Sequence, residues 1–398
     1  MVSQETHPKQ FDELDAAKAL IASEGVAVCV ASAGNKVRAV VLTGSFSRDE
    51  ATLKREGNGW RVLGDATFLV IHPPAVKLDT AKLGAEIESR LASRAIKCKT
   101  VVVSSTPGAL RIMKPHIYAF ELRERGVVVW GDRSVLGLMP RFTAAEIPIE
   151  DGWWFLCNRM IEQLKAAGEE KQPAETEQVQ YRIAKLYLSM AACYLLAIGQ
   201  YKPSYGDRAR HLLELANSPS PPGSPICLLR FSKLVSECTA LKLQGYTAND
   251  LALLPKWDDA TSDAEALWRW TLGRILNVGP QHSRSELLRR MRMRQPLVSR
   301  LKGWVRAVLK YPTVFSRSSR QWARLICHSS PRYLVYGAAS ELFFRGSHET
   351  ERFGSEELAA IAKDLPLSKF RVHGQPTWRG MAALIADNYH AFVESTRT

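Results

Sequence analysis

The sequence predicts an α+β protein, with a small mixed sheet in residues 1–144 and a larger all-helical part over residues 145–398. Two observations predict it. Short apolar runs, AVVLT at Ala39–Thr43, the stretch Leu63–Val70 and the block Thr100–Ser104, alternate with helically spaced segments in the first part only. From about Ala145 the pattern turns helical. Ile183, Leu186, Tyr187, Met190, Ala191, Tyr194, Leu195 and Ile198 form one stripe, with Gly199 as a helix stop.

Taken in order, Phe11, Leu14, Ala17, Leu20 and Ile21 have helical spacing behind an acidic first turn, so Phe11–Ser23 should form a helix that covers the sheet. Gly25–Val30 reads equally as a short strand or as more of that helix. The run Ala39–Thr43 is a buried strand that stops at Gly44-Ser45, where small residues let backbone N–H groups and a hydroxyl approach a phosphate. The following FSRDEATL can start a helix whose N-terminus faces such a phosphate. The GNG at Gly57–Gly59 marks a turn, the sign of a hairpin inserted before the strand that carries Asp65. Lys82–Ala95 reads as a helix. Ala166–Gln178 and Asn217–Pro225 are too rich in charge, proline and glycine for packed elements.

At 398 residues, 46% hydrophobic and 24% charged, the chain can bury two cores, and extensive disorder is not expected. Its seven cysteines are scattered, odd in number and without a C-x-x-C pair. That pattern points to reduced thiols in a cytoplasmic protein and away from a zinc site or a disulfide framework. The polar start MVSQETHPKQFDELD has no signal-peptide pattern, and no apolar run reaches the roughly 18 residues of a membrane span, so no transmembrane segment is expected.

The strand ending in Gly44-Ser45, followed on the next strand by Asp65, resembles the nucleotide-binding corner of the DNA polymerase beta superfamily of nucleotidyltransferases. Further blocks are similar to a large bacterial subgroup of nucleotidyltransferase-domain proteins: TPGALRIMKPHIYAFELRERGVVVWGD, IPIEDGWWFLCNRMIEQL, YRIAKLYLSMAACYLLAIGQYKPSY and SPRYLVYGAASELFF. The resemblance implies a nucleotidyltransferase-like domain with a helical accessory domain that holds the acceptor. It implies transfer of a nucleoside monophosphate from an NTP to an unknown acceptor, with Mg2+ on Asp65 and with Gly44 and Ser45 at the phosphates; Arg48, just past that turn, is a further nucleotide-binding candidate by its guanidinium, which suits a phosphate oxygen.

Two adjacent magnesium ions need several carboxylates, and acids two apart on a strand present them on one face. Here the pair reads Asp65-Ala66-Thr67, so Thr67 stands where the resemblance implies a second acid, and Val101, or its neighbour Thr100, where it implies a third. Asp49 and Glu50 are the nearest substitutes, although they also read as the solvated first turn of a helix. Glu121, Asp151 and Glu162 are more distant ones. Arg48 is otherwise a surface arginine, Ser45 a helix cap, His72 a strand-end residue, and His116 and Trp130-Gly131-Asp132 packing and turn residues. Two readings stand: an active transferase, and a catalytically degenerate nucleotidyltransferase-like protein that binds a nucleotide or acts as a scaffold.

The formal charge of +14 is concentrated. Residues 284–324 hold twelve bases against Glu286 alone, a net +11. Leu297, Leu301, Trp304, Val305 and Val308 share a helical face between these bases. Such a segment, with Arg289, Arg290, Arg292 and Arg294 foremost, suits an anionic partner such as nucleic acid or anionic lipid. It also suits a helix that packs its apolar face and solvates its arginines.

Overall fold

The strand-forming runs of the first third pair around one long central strand. The computed structural model describes residues 7–33, 36–169, 177–244, 254–279, 281–310, 319–345, 354–367 and 377–393. Arg317 of the basic segment and residues 170–176 of the expected loop lie outside the described residues, as do the side chains of Phe11, Val308, Lys310 and Arg320.

The elements of the first part are α1 (His7–Ala33), β1 (Ala39–Thr43), α2 (Gly44–Ser47), β2 (Leu53–Glu56), β3 (Gly59–Ile71), α3 (Thr80–Ser93), β4 (Ile96–Ser105), α4 (Pro107–Arg111), α5 (Ile117–Arg125) and β5 (Val127–Gly131). β3 takes neighbours on both edges. β4 runs parallel along one edge, with Asp65 opposite Lys99, Thr67 opposite Val101 and Leu69 opposite Val103. On the other edge β2 pairs antiparallel with the start of β3 and β1 with its end, while β5 pairs antiparallel with β1. The β2–β3 pair is the expected hairpin, turning through Gly57 at φ 59°.

Side-chain alternation gives this sheet two covered faces. Val40, Leu42, Ala66, Phe68 and Val70 pack with Ile21 and Val28 of α1 and with Leu83, Ile87 and Leu91 of α3. Ala39, Val41, Leu69 and Ile71 pack with Leu110 of α4 and with Ala119 and Leu122 of α5. Gly25–Val30 belongs to α1, because Val28 and Cys29 continue the buried stripe begun by Ala17 and Ile21. The Phe68 ring lies against Gly25 so closely that a Cβ there would fall 2.2 Å from it.

The later elements are all helical: α6 (Ile149–Glu169), α7 (Glu177–Ala197), α8 (Tyr205–Ala216), α9 (Leu228–Gln244), α10 (Trp257–Leu276), α11 (Arg284–Arg294), α12 (Leu297–Lys310), α13 (Ser319–His328), α14 (Pro331–Arg345), α15 (Ser355–Lys363) and α16 (Trp378–Phe392). The chain divides into two compact units. The first is Met1–Pro148 with Tyr201–Arg208 and Thr239–Tyr246, and the second is Ile149–Gln200 with Ala209–Cys238 and Thr247–Thr398. α7 ends where Gly199 turns at φ 74°, as the stop signal predicts. α6 and α7 extend into both ends of the expected 166–178 loop, up to Glu169 and from Glu177.

Trp153 on α6 centres the second unit, its ring 6.0 Å from Trp268, 5.7 Å from Tyr333 and 5.6 Å from Tyr336. All seven cysteines are free, and only Cys227 and Cys327 are exposed. No helix among the described residues is long and apolar enough to cross a membrane.

Gly25→Ala tests the helix-to-sheet contact. In an open helix the change stabilises by about 1 kcal/mol, whereas here the methyl meets a fully buried ring. Urea denaturation should show a net loss of about 1–3 kcal/mol. A raised midpoint would mean that the ring can retreat.

Candidate functional site

The register of β1, β3 and β4 assembles the corner that the sequence singles out. Thr43, the last residue of β1, pairs with Thr67, so Gly44 and Ser45 leave the sheet alongside Ala66 and Asp65. Gly44 turns at φ 70°, and no atom beyond its chain neighbours lies within 4 Å of where its Cβ would be. Asp65 is exposed and Thr67 half-buried, both on the sheet face of Leu69 and Ile71. Tyr118 of α5 packs on that face. Burial pushes its hydroxyl up to about 12.

The helix expected after Ser45 is a single turn. α2 ends at Ser47, and Asp49 reverses the chain at φ 56° before β2 begins. One turn aligns too few peptide dipoles to aim a helix terminus at a phosphate.

The donor set at this corner does not fit a pair of magnesium ions. Asp65 is paired in register with Lys99, and Thr67 with Val101. An exposed ammonium therefore shares the sheet face with the one carboxylate, and a hydroxyl and an isopropyl group stand in the next row. Among the described residues no three His, Cys, Asp or Glu side chains come together in a metal-binding group.

The residues after α2 behave unlike their surface reading. The Arg48 side chain is 6% exposed. Its guanidinium donates to Glu50 at 2.7 Å and to Glu121 of α5 at 3.0 Å. The other Glu121 oxygen accepts the Tyr201 hydroxyl at 2.5 Å, and that hydroxyl accepts from Arg208 at 2.8 Å. Glu50 also accepts the backbone N–H of Tyr205. Arg208 lies over the Tyr205 ring at 4.6 Å and Arg48 lies 5.6 Å from it. Two guanidinium groups thus face two carboxylates within the first unit. Burial opposes the charge on Arg48, but Glu121 and Glu50 raise its pKa above the usual range; around Arg208, Tyr201 and Glu121 do the same.

This cluster places Glu50 and Glu121 away from the metal role considered for them, since both are taken by Arg48. Asp49 is exposed and pairs with Lys18 at 2.6 Å, and Glu162 pairs with Arg159. Sequence reading missed Tyr201, Tyr205 and Arg208. The only signal for them is local, two tyrosines and an arginine in YKPSYGDR after the Gly199 stop.

The other singled-out residues are structural. His116 caps α5 by accepting the Ala119 N–H at 3.1 Å. Asp132 follows Gly131, itself at φ 86°, and binds Arg38 and Ser134. His72 is buried just past the end of β3.

Most described arginines of the basic segment have partners in the second unit. Arg284 lies between Glu265 at 3.3 Å and Glu341 at 4.0 Å. Arg289 and Arg290 share Glu286, and their hydrogen bonds hold its carboxyl at about 2. Arg292 pairs with Asp364 at 3.1 Å. Arg294 donates to the Ile275 carbonyl, and Arg300 to the carbonyls of Arg292, Met293 and Cys327. The apolar face of α12 is not packed as a solvated-arginine helix would require. Trp304 is buried, but Leu297, Leu301 and Val305 are 67%, 52% and 55% exposed.

No protein-family model matches the chain, and no curated protein matches it either.

Removing one member of the buried cluster strands its partners. Arg48→Ala and Glu121→Ala should each cost about 3–5 kcal/mol in urea denaturation. Arg48→Lys should recover little, because one ammonium cannot fork between two carboxylates. Losses within about 0.5 kcal/mol would show that the cluster contributes no net stability.

Proposed function

We propose that the first unit is a nucleotidyltransferase-like domain that binds a nucleoside triphosphate at the Gly44–Ser45 turn without transferring its nucleotidyl group. The observation that carries this reading is the register of β3 and β4, with Lys99 beside Asp65 and Val101 beside Thr67. A triphosphate carries several negative charges that transferases of the resembled superfamily meet with two cations. Here Lys99 meets part of that charge. It is exposed, makes no ion pair among the described residues, and stands opposite Asp65 in the sheet. Ser45 supplies a hydroxyl and a backbone N–H to the same phosphates.

Arg48 takes no part in this reading, because Glu50 and Glu121 already hold its guanidinium. Asp65, opposite Lys99 in register, leaves the catalytic step without the further carboxylates that would spread the metal charge.

Calorimetric titration with ATP, GTP, CTP and UTP, each with and without magnesium, tests this. One nucleotide should bind in the absence of magnesium, and Lys99→Gln should weaken it about tenfold or more, the worth of a charge-assisted hydrogen bond. Magnesium-dependent binding abolished by Asp65→Ala would overturn the reading in favour of transfer to an acceptor. No binding of any nucleotide would leave the domain a scaffold.

A further inference from the structure

The exposed large apolar side chains of the described residues concentrate on α12. Leu297, Val298, Leu301, Val305 and Leu309 are 67%, 62%, 52%, 55% and 78% exposed, and Met293 at the end of α11 is 66% exposed. At about 100° per residue the five helix positions fall within an arc of about 120°. Gly303, which falls opposite this arc, faces Pro331 and Ser330, and Trp304 anchors the flank of the arc about 20° from Leu297. Trp304 is 3% exposed, packs edge-on to Trp322 at 5.2 Å, and donates its indole N–H to the Ser329 carbonyl at 2.8 Å. α12 is therefore held along Gly303 and Trp304 and presents the arc beside them.

The charge around this face is of one sign. No aspartate or glutamate occurs from Leu287 to Ser340. Lys302 and Arg306 border the apolar arc, are exposed, and have no ion pair among the described residues. Arg289 and Arg290 of α11 are exposed at 61% and 41% although they share Glu286.

A second copy of the chain would set two such basic rims against each other with no acid on the helix to relieve them. Nucleic acid would accept the bases but not a row of leucine and valine, since it is bound by stacking rings and polar groups. A surface that is apolar at depth and anionic at its rim accepts both parts.

We infer that α12 docks in the surface of an anionic lipid bilayer, with Leu297, Leu301, Val305 and Leu309 among the acyl chains and Lys302 and Arg306 at the lipid phosphates. Helices of this kind lie in the plane of the interface, their aliphatic side chains below the headgroups and their bases level with them. The contribution of Lys302 and Arg306 falls with salt, because exposed charges are screened beyond about 10 Å at 0.1 M ionic strength.

Cosedimentation of the full chain with vesicles of phosphatidylcholine, with and without phosphatidylglycerol, tests the inference. The protein should pellet with the anionic vesicles. The double substitution Leu301→Glu with Val305→Glu should weaken that binding roughly tenfold or more, and Lys302→Gln or Arg306→Gln by about fivefold each. All four positions are exposed, so the far-ultraviolet circular dichroism of each variant should match that of the parent. Absence of binding to either vesicle overturns the inference, as does anionic binding that the paired glutamates leave unchanged. Dimers in sedimentation velocity that the same glutamates dissociate overturn it too, and assign the face to a second copy.

Discussion

A buried arginine cannot shed its proton, so the chain around it must supply negative charge. That constraint shapes the first unit. Arg48 follows the one-turn α2 and sits in the interior, where its charge is tolerable only with carboxylates in contact. Glu50 comes from the same turn, but Glu121 comes from α5 and brings with it the Tyr201 hydroxyl and Arg208. The segment Tyr201–Arg208, which follows the helical stripe of α7 in sequence, is part of the sheet unit. Glu50 also takes the first N–H of α8, so the same carboxylate balances a charge and starts a helix.

The cluster also bears on the chemistry of the neighbouring corner. Arg48 stands within a few residues of Gly44-Ser45, where a free guanidinium would suit a phosphate, but its fork is already filled. Charge compensation at the corner passes to the strand register instead. β3 and β4 run parallel with Asp65 and Lys99 side by side, and the next row on that face holds a threonine and a valine. In the proposed reading a nucleotide meets one ammonium and one carboxylate there, an arrangement that suits holding a triphosphate better than activating it.

The excess of basic residues is less available than its count suggests. Arg284, Arg292, Arg294 and Arg300 are engaged by acids or by helix-end carbonyls of the second unit, as cations near the ends of helices often are. Among the described residues, open bases remain on the turn of α11 around Glu286, on Arg324 and on the rim of α12, beside exposed leucines and valines. Surface charge and surface hydrophobicity thus coincide on one short helix.

Short-range patterns in the sequence determined much of this architecture. The apolar blocks at Ala39–Thr43 and Thr100–Ser104, the GNG turn and the Gly199 stop each encode their structure within a few residues, and each appears where its chemistry places it. That Thr67 and Val101 stand where the resemblance implies acids is legible without coordinates. Tertiary structure alone decided the fate of Gly25–Val30, where Val28 and Cys29 continue the buried stripe of α1 and Gly25 admits Phe68, a residue more than forty positions away. It alone decided that Arg48 and Glu50 are buried rather than solvated, that Lys99 is the neighbour of Asp65, and that the apolar row of α12 faces outward. The reason is common to all of these. Burial and pairing depend on which distant segment arrives at a residue, and a local pattern of charge or hydrophobicity is the same whether that partner is water, a carboxylate or another strand.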